Sequence, residues 1–403
     1  MNELIVIGMS RNQGARFFEQ AKKRGYKIIL LEEQSFLESN KQLVSNANST
    51  LVIESKKRDK ARNIIELLGD NPPQKIFTYD ELSVELAAAL AESLGATTIG
   101  NEVAAIVKDK AKLREIFSAT GLPQPVSYIC SSEEDVINFI DLSNFDKFII
   151  KPRHGLGSQG VSLITSKTDI YNAISKLNQE DRSDFLIEEF IEGKEFSVEG
   201  VIVKGKPIFF GVTEKKIIDN GTFIEVGHTF PAPITTQLEK EIYDSWTKAI
   251  NALNFNVGLF HAECWETSNG IVLGEIHARP GGDFIHWLQE LVTGIETYGA
   301  GLDSHFNPDN LSTVTVEKNG VAGIRYFLLP EGEIKYIGNV TEAAAHPSCV
   351  RLNMPLKVGN KINEIKHWKD REAVGYMICH AKDRNSLEDA FDQIVKILSI
   401  ETC

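Results

Sequence analysis

The stretch from His261 to Asp283, HAECWETSNGIVLGEIHARPGGD, reads as two apolar strands around a turn, with acidic residues where buried strands normally carry none. Ala262, Cys264, Ile271, Val272, Leu273 and Ile276 have the character of core, so the hairpin is expected to pack against the body of the protein. A three-residue loop Ser268-Asn269-Gly270, with Gly270 at positive φ, sets Glu263 directly opposite Glu275. Alternation then puts Glu275, His277 and Arg279 on one face, and Cys264 on the face opposite Glu263, where it reads as core. Two facing carboxylates repel unless a cation lies between them. Hard oxygen donors suit Mg²⁺ better than Zn²⁺. A solvent-facing acidic hairpin is the competing interpretation.

A chain of 403 residues has room for two or three domains with substantial cores. With 42% hydrophobic and 25% charged residues it has the make-up of a soluble globular protein, not a disordered one. A net charge of −13 argues against nonspecific binding to nucleic acid or to an anionic membrane, which both need a basic face. It leaves an anionic small substrate open, since local lysines decide that. The five cysteines, Cys130, Cys264, Cys349, Cys379 and Cys403, show no CxxC spacing and fit free thiols in a reducing cytosol. The opening MNELIVIGMSRNQG is too short, and lacks the basic leader, for a signal peptide, and no segment has the length of a membrane span. A cytoplasmic location is expected.

Residues 1–105 alternate short apolar strands (Leu4 to Ile7, Tyr26 to Leu31, Thr50 to Ile53, Lys75 to Tyr79) with helices, the pattern of a parallel, doubly wound, Rossmann-like sheet. Gly8-x-Ser10-x-x-x-Gly14 departs too far from a dinucleotide fingerprint to imply NAD. Its loop is expected to face a ligand shared with the next domain. Over 106–300 the texture becomes antiparallel strands with helices near Glu133 to Leu142, Tyr171 to Leu177 and Gln237 to Leu253, and an ordered loop from Asp219 to Ile234. Residues 301–403 form an α+β portion, with a strand near Ala373 to Ala381 and an amphipathic helix from Leu387 to Leu398.

Three further segments carry chemistry. Lys151 ends the apolar strand Phe148-Ile149-Ile150 and precedes the glycine loop Gly155-Leu156-Gly157-Ser158-Gln159-Gly160, whose backbone amides can cradle phosphate. This is not a Walker A loop, in which the lysine follows the glycines and opens a helix. Lys110 sits in a first helical turn, where the macrodipole disfavours a cation, so an anionic partner is at least as good an explanation as a solvated basic face. Lys112 and Arg114 are read as that solvated face. In LIEEFIEGKEFSVEG (186–200), Glu188 can accept from an exocyclic amine and Glu195 from ribose hydroxyls. The backbone from Glu189 to Ile191 is open to the edge of a base. Surface solvation is the plain alternative for that bend.

In this order the pieces resemble the ATP-grasp ligases over nearly the whole chain, the Rossmann-like domain included. The combination is specific although no single piece is. The resemblance implies a Rossmann-like domain, an ATP-grasp fold and a C-terminal mixed α/β portion. It also implies ATP and Mg²⁺, with Lys110, Lys151, Ser158 and Lys215 on phosphates and Glu188, Glu189, Ile191 and Glu195 on the nucleoside. Glu263 and Glu275 match metal-binding carboxylates, and Arg279 the arginine that steadies the substrate carboxylate and the acyl phosphate. The amides of Gly281 and Gly282 match groups that hold the oxyanion. Where the family has Glu-x-Asn, this chain has Glu275-Ile276-His277. Either His277 is a metal ligand, or it binds through water, or one metal site is weaker, and Mn²⁺ is left open beside Mg²⁺.

Within the superfamily, Phe196-Ser197-Val198-Glu199-Gly200, the segment Phe223 to Ala232 and Arg279-Pro280-Gly281-Gly282-Asp283 look most like the L-amino-acid (dipeptide) ligases. That implies peptide or amide bond formation from small-molecule substrates through an acyl phosphate, releasing ADP and phosphate, in a homodimer. His228 matches a pocket residue there, which orients substrate or takes a proton from the attacking ammonium; loop packing explains it equally well. A purine-pathway ATP-grasp carboxylase or formyl-phosphate transferase is the nearest alternative, and an inactive nucleotide-binding regulatory protein the next.

Overall fold

In the computed structural model, which describes residues 2–155, 157, 159–218, 223–365 and 368–403, the chain opens with a four-stranded parallel sheet. Its order is Ser49–Ile53, Lys27–Glu33, Glu3–Ile7, Ile76–Phe77. Leu4 to Ile7 are wholly buried, as a central parallel strand covered by helices on both faces requires. The ends of the strands Glu3–Ile7 and Ile76–Phe77 bring Ser10, Asn12 and Gln13, and Tyr79, Asp80 and Glu81, to one cavity wall. Gly8, at φ +74, explains the glycine in that loop without a dinucleotide. A Cβ there would fall 2.2 Å from Ser83 Oγ, so the glycine lets two strand-end loops pack together.

An antiparallel sheet follows, in the order Ser127–Cys130, Phe185–Glu189, Phe148–Pro152, Ser162–Ile164, with the helices Glu133–Leu142 and Ile170–Lys176 beside it. The third and largest sheet is antiparallel with eight strands. Its order is Gly270–His277, Gly258–Thr267, Lys194–Val203, Lys206–Ile217, Glu225–Phe230, Val321–Tyr326, Tyr376–Ala381, Cys349–Asn353. The helix Thr236–Ala252 lays Ile242, Trp246, Ala249 and Ile250 against it.

Two readings are corrected. Part of the expected 219–234 loop lies outside the described residues, but Glu225–Phe230 is a sheet strand. Its part-buried Glu225 and buried His228 and Thr229 hide the apolar alternation that marks strands. The strand expected from Ala373 starts at Tyr376, because the helix Trp368–Val374 runs up to Gly375, at φ +115. The helices Ile285–Thr293 and Thr297–Phe306 were not foreseen. Tyr298 and Leu302 join Leu4, Phe17 and Phe77 in one core, and Arg16–Glu290 and Arg24–Asp303 ion pairs back it. The 105/106 boundary falls within the helix Asn101–Val107 and the 300/301 boundary within Thr297–Phe306. The large sheet runs across the second. Among the described residues no helix is long and apolar enough to cross a membrane.

Candidate active site

The hairpin turns on two residues, not three. Thr267 pairs with Gly270, and that register holds as far as Cys264–Leu273. A bulge then shifts it by one, so that Ala262 pairs with Ile276 and His261 with His277. The shorter turn and the bulge cancel, and Glu263 and Glu275 end on one cavity wall as the three-residue loop would have put them. Gly274 makes the bulge fit. A Cβ there would lie 2.7 Å from the Glu263 carbonyl oxygen. Cys264 faces the other way, fully buried in the core with Trp246.

Lys110 opens the helix Lys110–Ala119, capped by Asp109, whose carboxylate accepts from the Ala111 and Lys112 amides. Asp109 also pairs with Arg153 at 2.7 Å, tying the helix start to the loop after Lys151. The Lys110 Nζ donates to the Gly155 carbonyl at 3.1 Å and lies 3.4 Å from Glu275. Lys151 meets Glu275 at 3.1 Å and Glu188 at 2.8 Å. Burial works against ionisation of Glu275, yet Lys110, Lys151 and His277 hold its carboxyl down at about 2.

Arg114 is not on a solvated face, as expected from sequence. Only 4% exposed, it donates to Glu188 at 2.9 Å and to the Gly274 carbonyl at 2.7 Å. One turn beyond Lys110, it shares that residue's inward side, whereas Lys112 stays half exposed. Glu188 is thereby engaged by both Arg114 and Lys151. The three side chains form one buried triad. At the bend, the Glu189 amide donates to Val126 and the Phe190 amide to Lys147, leaving the Ile191 amide unoccupied among the described residues. Gly155, Gly157 and Gln159 line the cavity from the glycine loop, while Ser158 lies outside the described residues.

Lys215 is buried among three carboxylates, Glu195, Glu225 at 2.8 Å and Glu263 at 2.7 Å. Although burial opposes the charge, these partners raise its ammonium well above the ordinary lysine value. Behind the hairpin, His261 Nδ1 meets Glu199 at 2.8 Å, and Glu199 also accepts from Thr213 and Gln289. His261 Nε2 lies 3.5 Å from Glu263, on the same face by simple alternation, and it was not singled out from sequence. The His261 and His277 rings stack at 5.9 Å.

Glu81, from the N-terminal domain, is a junction the sequence did not reveal. It accepts from Arg279 at 2.7 Å and from Lys108 at 2.8 Å, and lies 3.3 Å from His277 Nδ1. Despite its burial, His277, Arg279 and Lys108 hold its carboxyl well below the usual range. His277 Nε2 points to Glu275 at 3.7 Å.

At the other end of the cavity lie Asp283 and Gly282. A Cβ on Gly282 would meet nothing within 4 Å, so the glycine leaves room in the cavity and is not demanded by protein packing. Asp283 and Phe284 both adopt left-handed backbone, at φ +47 and +62, strain of about 1–3 kcal/mol each that is typical of functional turns. Asp283 receives Tyr326 at 3.1 Å, Arg371 at 2.5 Å and His228 at 3.1 Å. His228 is fully buried behind this wall, not on it, with Glu225 at 3.4 Å. Burial disfavours its charge, but the hydrogen bonds the ring donates to Asp283 and Glu225 prevail and raise it to about 9. Of the roles expected for it, this placement favours packing behind the wall, where the ring bridges the two carboxylates.

Lys110, Lys151, Lys215, Glu263, Glu275 and Arg279 border one cavity of about 400 Å³ between the N-terminal parallel sheet, the four-stranded antiparallel sheet and the eight-stranded sheet. The donor set at the hairpin fits a divalent, oxygen-seeking cation: Glu263 and Glu275 are ionised carboxylates, balanced in this structure by lysines. Lys110, Lys151 and Lys215 supply the positive charge a polyphosphate needs.

A family model described as ATP-grasp domain matches residues 145–286, and one described as L-amino acid ligase C-terminal domain 2 matches residues 325–402. An uncharacterised protein of Sinorhizobium fredii is 24% identical over 295 residues, 72% of this chain and 60% of that protein. A D-alanine–D-alanine ligase of Pseudomonas fluorescens is 26% identical over 193 residues, 46% of this chain and 57% of the ligase. Matches to both thus span less than two thirds of their lengths. The crystal structure of an L-amino acid ligase from Bacillus licheniformis superposes with a TM-score of 0.85, at 19% identity, covering 100% of this chain and 99% of that one.

Proposed function

The chain is an ATP-grasp protein carrying the C-terminal domain of the L-amino acid ligases, and from that premise we propose that it joins the carboxylate of an amino acid, or a similar acid, to an amine, at the expense of ATP. The observation that carries this reading is the convergence on one cavity of Lys110, Lys151 and Lys215, the hairpin carboxylates Glu263 and Glu275, and two arginines, Arg279 and Arg371.

Glu263 and Glu275 would hold Mg²⁺, with His277 close enough to Glu275 to favour Mn²⁺ in its place. Such an ion, when bound, neutralises charge on the transferred phosphoryl group. Lys110 and Lys151 engage phosphate oxygens, and Glu188 with Arg114 keeps Lys151 in place. The Ile191 amide, without a partner among the described residues, is the donor for the edge of the base, and Glu195 remains the candidate for the ribose once Lys215 turns to phosphate. Arg279, braced by Glu81, holds the substrate carboxylate. The Gly281 and Gly282 amides face the oxyanion that forms when the amine attacks the acyl phosphate. The amine arrives as an ammonium ion, and Glu225 and Asp283 are the carboxylates it meets on the wall. No side-chain nucleophile is needed: the attacking atom is the substrate's nitrogen.

The test is phosphate release over all amino-acid pairs with ATP, with mass spectrometry of the products. A parallel set supplies bicarbonate or formate with a ribonucleotide amine. Release with an amino-acid pair and a product lighter by one water than the two reactants is expected. Release only in the second set would overturn the proposal in favour of a purine-pathway type of reaction. ATP binding without turnover in either set would support a regulatory protein.

A further inference from the structure

Away from the cavity, the eight-stranded sheet sets two cysteines against each other. Cys349 begins the edge strand Cys349–Asn353, and Cys379 lies in its neighbour Tyr376–Ala381 as its register partner. In the adjoining pair, the His380 amide donates to the Ser348 carbonyl at 2.9 Å. Antiparallel pairs alternate between hydrogen-bonded and narrow kinds, so Cys349–Cys379 is a narrow pair, with Cα atoms about 4.5 Å apart. A disulfide spans roughly 4.4–6.8 Å between Cα atoms, so the backbone needs little movement to accept one. As register partners across the two strands, the two side chains lie on the same face of the sheet. Cys379 is fully buried, while Cys349 is part exposed. Cys379 holds the Cys349 thiol below its ordinary value, and Cys349, with burial, pushes Cys379 up, which makes the accessible cysteine the better nucleophile. By contrast, Cys130 and Cys264 are buried in other cores, each pushed up to about 12.

We propose that Cys349 and Cys379 form an oxidisable dithiol, closed to an intramolecular disulfide by exchange with a small disulfide such as glutathione disulfide. The Cys349 thiolate attacks one glutathione sulfur and expels a glutathione thiolate. Cys379 then gives up its proton and attacks the Cys349 sulfur of the mixed disulfide, expelling the second glutathione. Two protein thiols are oxidised and one glutathione disulfide is reduced to two thiols. The consequence reaches the cavity. Arg351, on the same edge strand as Cys349, lies 5.4 Å over the ring of Phe284, which lines the cavity beside Asp283. Closing the pair fixes that strand to the sheet and Arg351 to the wall.

The full chain is incubated with glutathione disulfide in excess over glutathione, alkylated, and weighed intact. Trypsin places the two cysteines on separate peptides, Tyr336 to Arg351 and Glu372 to Lys382. A protein about 2 Da lighter, with these peptides linked and a melting temperature raised by a few degrees until dithiothreitol is added, is expected. Cys379→Ser should stop at a glutathione adduct on Cys349, and Cys403→Ser should still close. A stable glutathione adduct on Cys349 in the unmutated chain, or a disulfide that pairs either residue with Cys403, would overturn the proposal. The unmutated chain decides this even where a variant does not fold.

Discussion

His228 ties stability to pH in a direction the structure fixes. Its ring stands near 9, against an ordinary 6.5, because Asp283 and Glu225 outweigh the cost of burial. A group raised on folding stabilises the native state fully below its unfolded value, here 6.5, and that contribution is lost as pH rises through about 9. At about 1.4 kcal/mol per unit, the linkage amounts to roughly 3 kcal/mol, a large share of the stability of an ordinary domain. The perturbation is His228→Asn, which leaves a polar side chain but removes the titrating ring. Urea unfolding of both proteins at intervals from pH 6 to 10 cancels the lysines, tyrosines and cysteines they share. The unmutated chain's advantage should shrink by roughly 3 kcal/mol over that range, most of it between pH 7 and 9. Carbon-13 NMR of the labelled ring should locate the same titration. Parallel pH profiles, an advantage that grows with pH, or a ring that titrates at or below 6.5 would refute the charge assignment and restore His228 as a proton acceptor at neutral pH.

Glu275→Gln should abolish ADP formation while leaving the circular dichroism spectrum unchanged; a fully active variant would remove the hairpin as the metal site. Arg279→Ala should still bind ATP but lose ligation, and Glu81→Gln should reproduce that defect more mildly, as a raised KM for the carboxylate substrate with the KM for ATP unmoved. A loss of nucleotide affinity in either would mean that Arg279 and its brace act on the nucleotide. Gly274→Ala forces a Cβ to within 2.7 Å of the Glu263 carbonyl oxygen. It should cost about 1–3 kcal/mol in urea unfolding and lower activity by disturbing the bulge that aims Glu263; a neutral result would show that the bulge relaxes freely.

Much of the site is legible because local pattern suffices for it. Two acidic residues on apolar strands, a lysine in a first helical turn and a lysine before a glycine loop each break a local rule, and each lies on the cavity. What escapes is set by distant partners. Arg114 looks solvated in its own helix, since Glu188 and the Gly274 carbonyl that bury it lie 74 and 160 residues away. Glu81 meets Arg279 across 198 residues, and Asp283 meets Arg371 across 88. The turn length was misread for another reason. Ser268-Asn269-Gly270 serves a three-residue loop or a two-residue turn with a bulge equally well, and only the close approach at Gly274 selects the second.

The pairing of charges in this structure bears on how the cavity takes its ligand. Three ammonium groups are each set against carboxylates: Lys110 against Glu275, Lys151 against Glu188 and Glu275, and Lys215 against Glu195, Glu225 and Glu263. Such groups cannot stand unpaired in a buried wall, because removing one partner of a buried pair costs about 3–5 kcal/mol. A polyphosphate alone would compete with the carboxylates for the lysines and strand them, and a divalent cation alone would strand the lysines. The two together would exchange partners without leaving a buried charge uncompensated: under the proposed function, lysines would pass to phosphate and Glu263 and Glu275 to the cation. Nucleotide affinity should therefore depend steeply on the divalent ion, and the ion's affinity equally on the nucleotide, since coupling between two ligands is reciprocal. Isothermal titration of ATP with and without Mg²⁺ measures that coupling directly. Equal affinities in the two titrations would show that the lysines are free to leave their carboxylates without help.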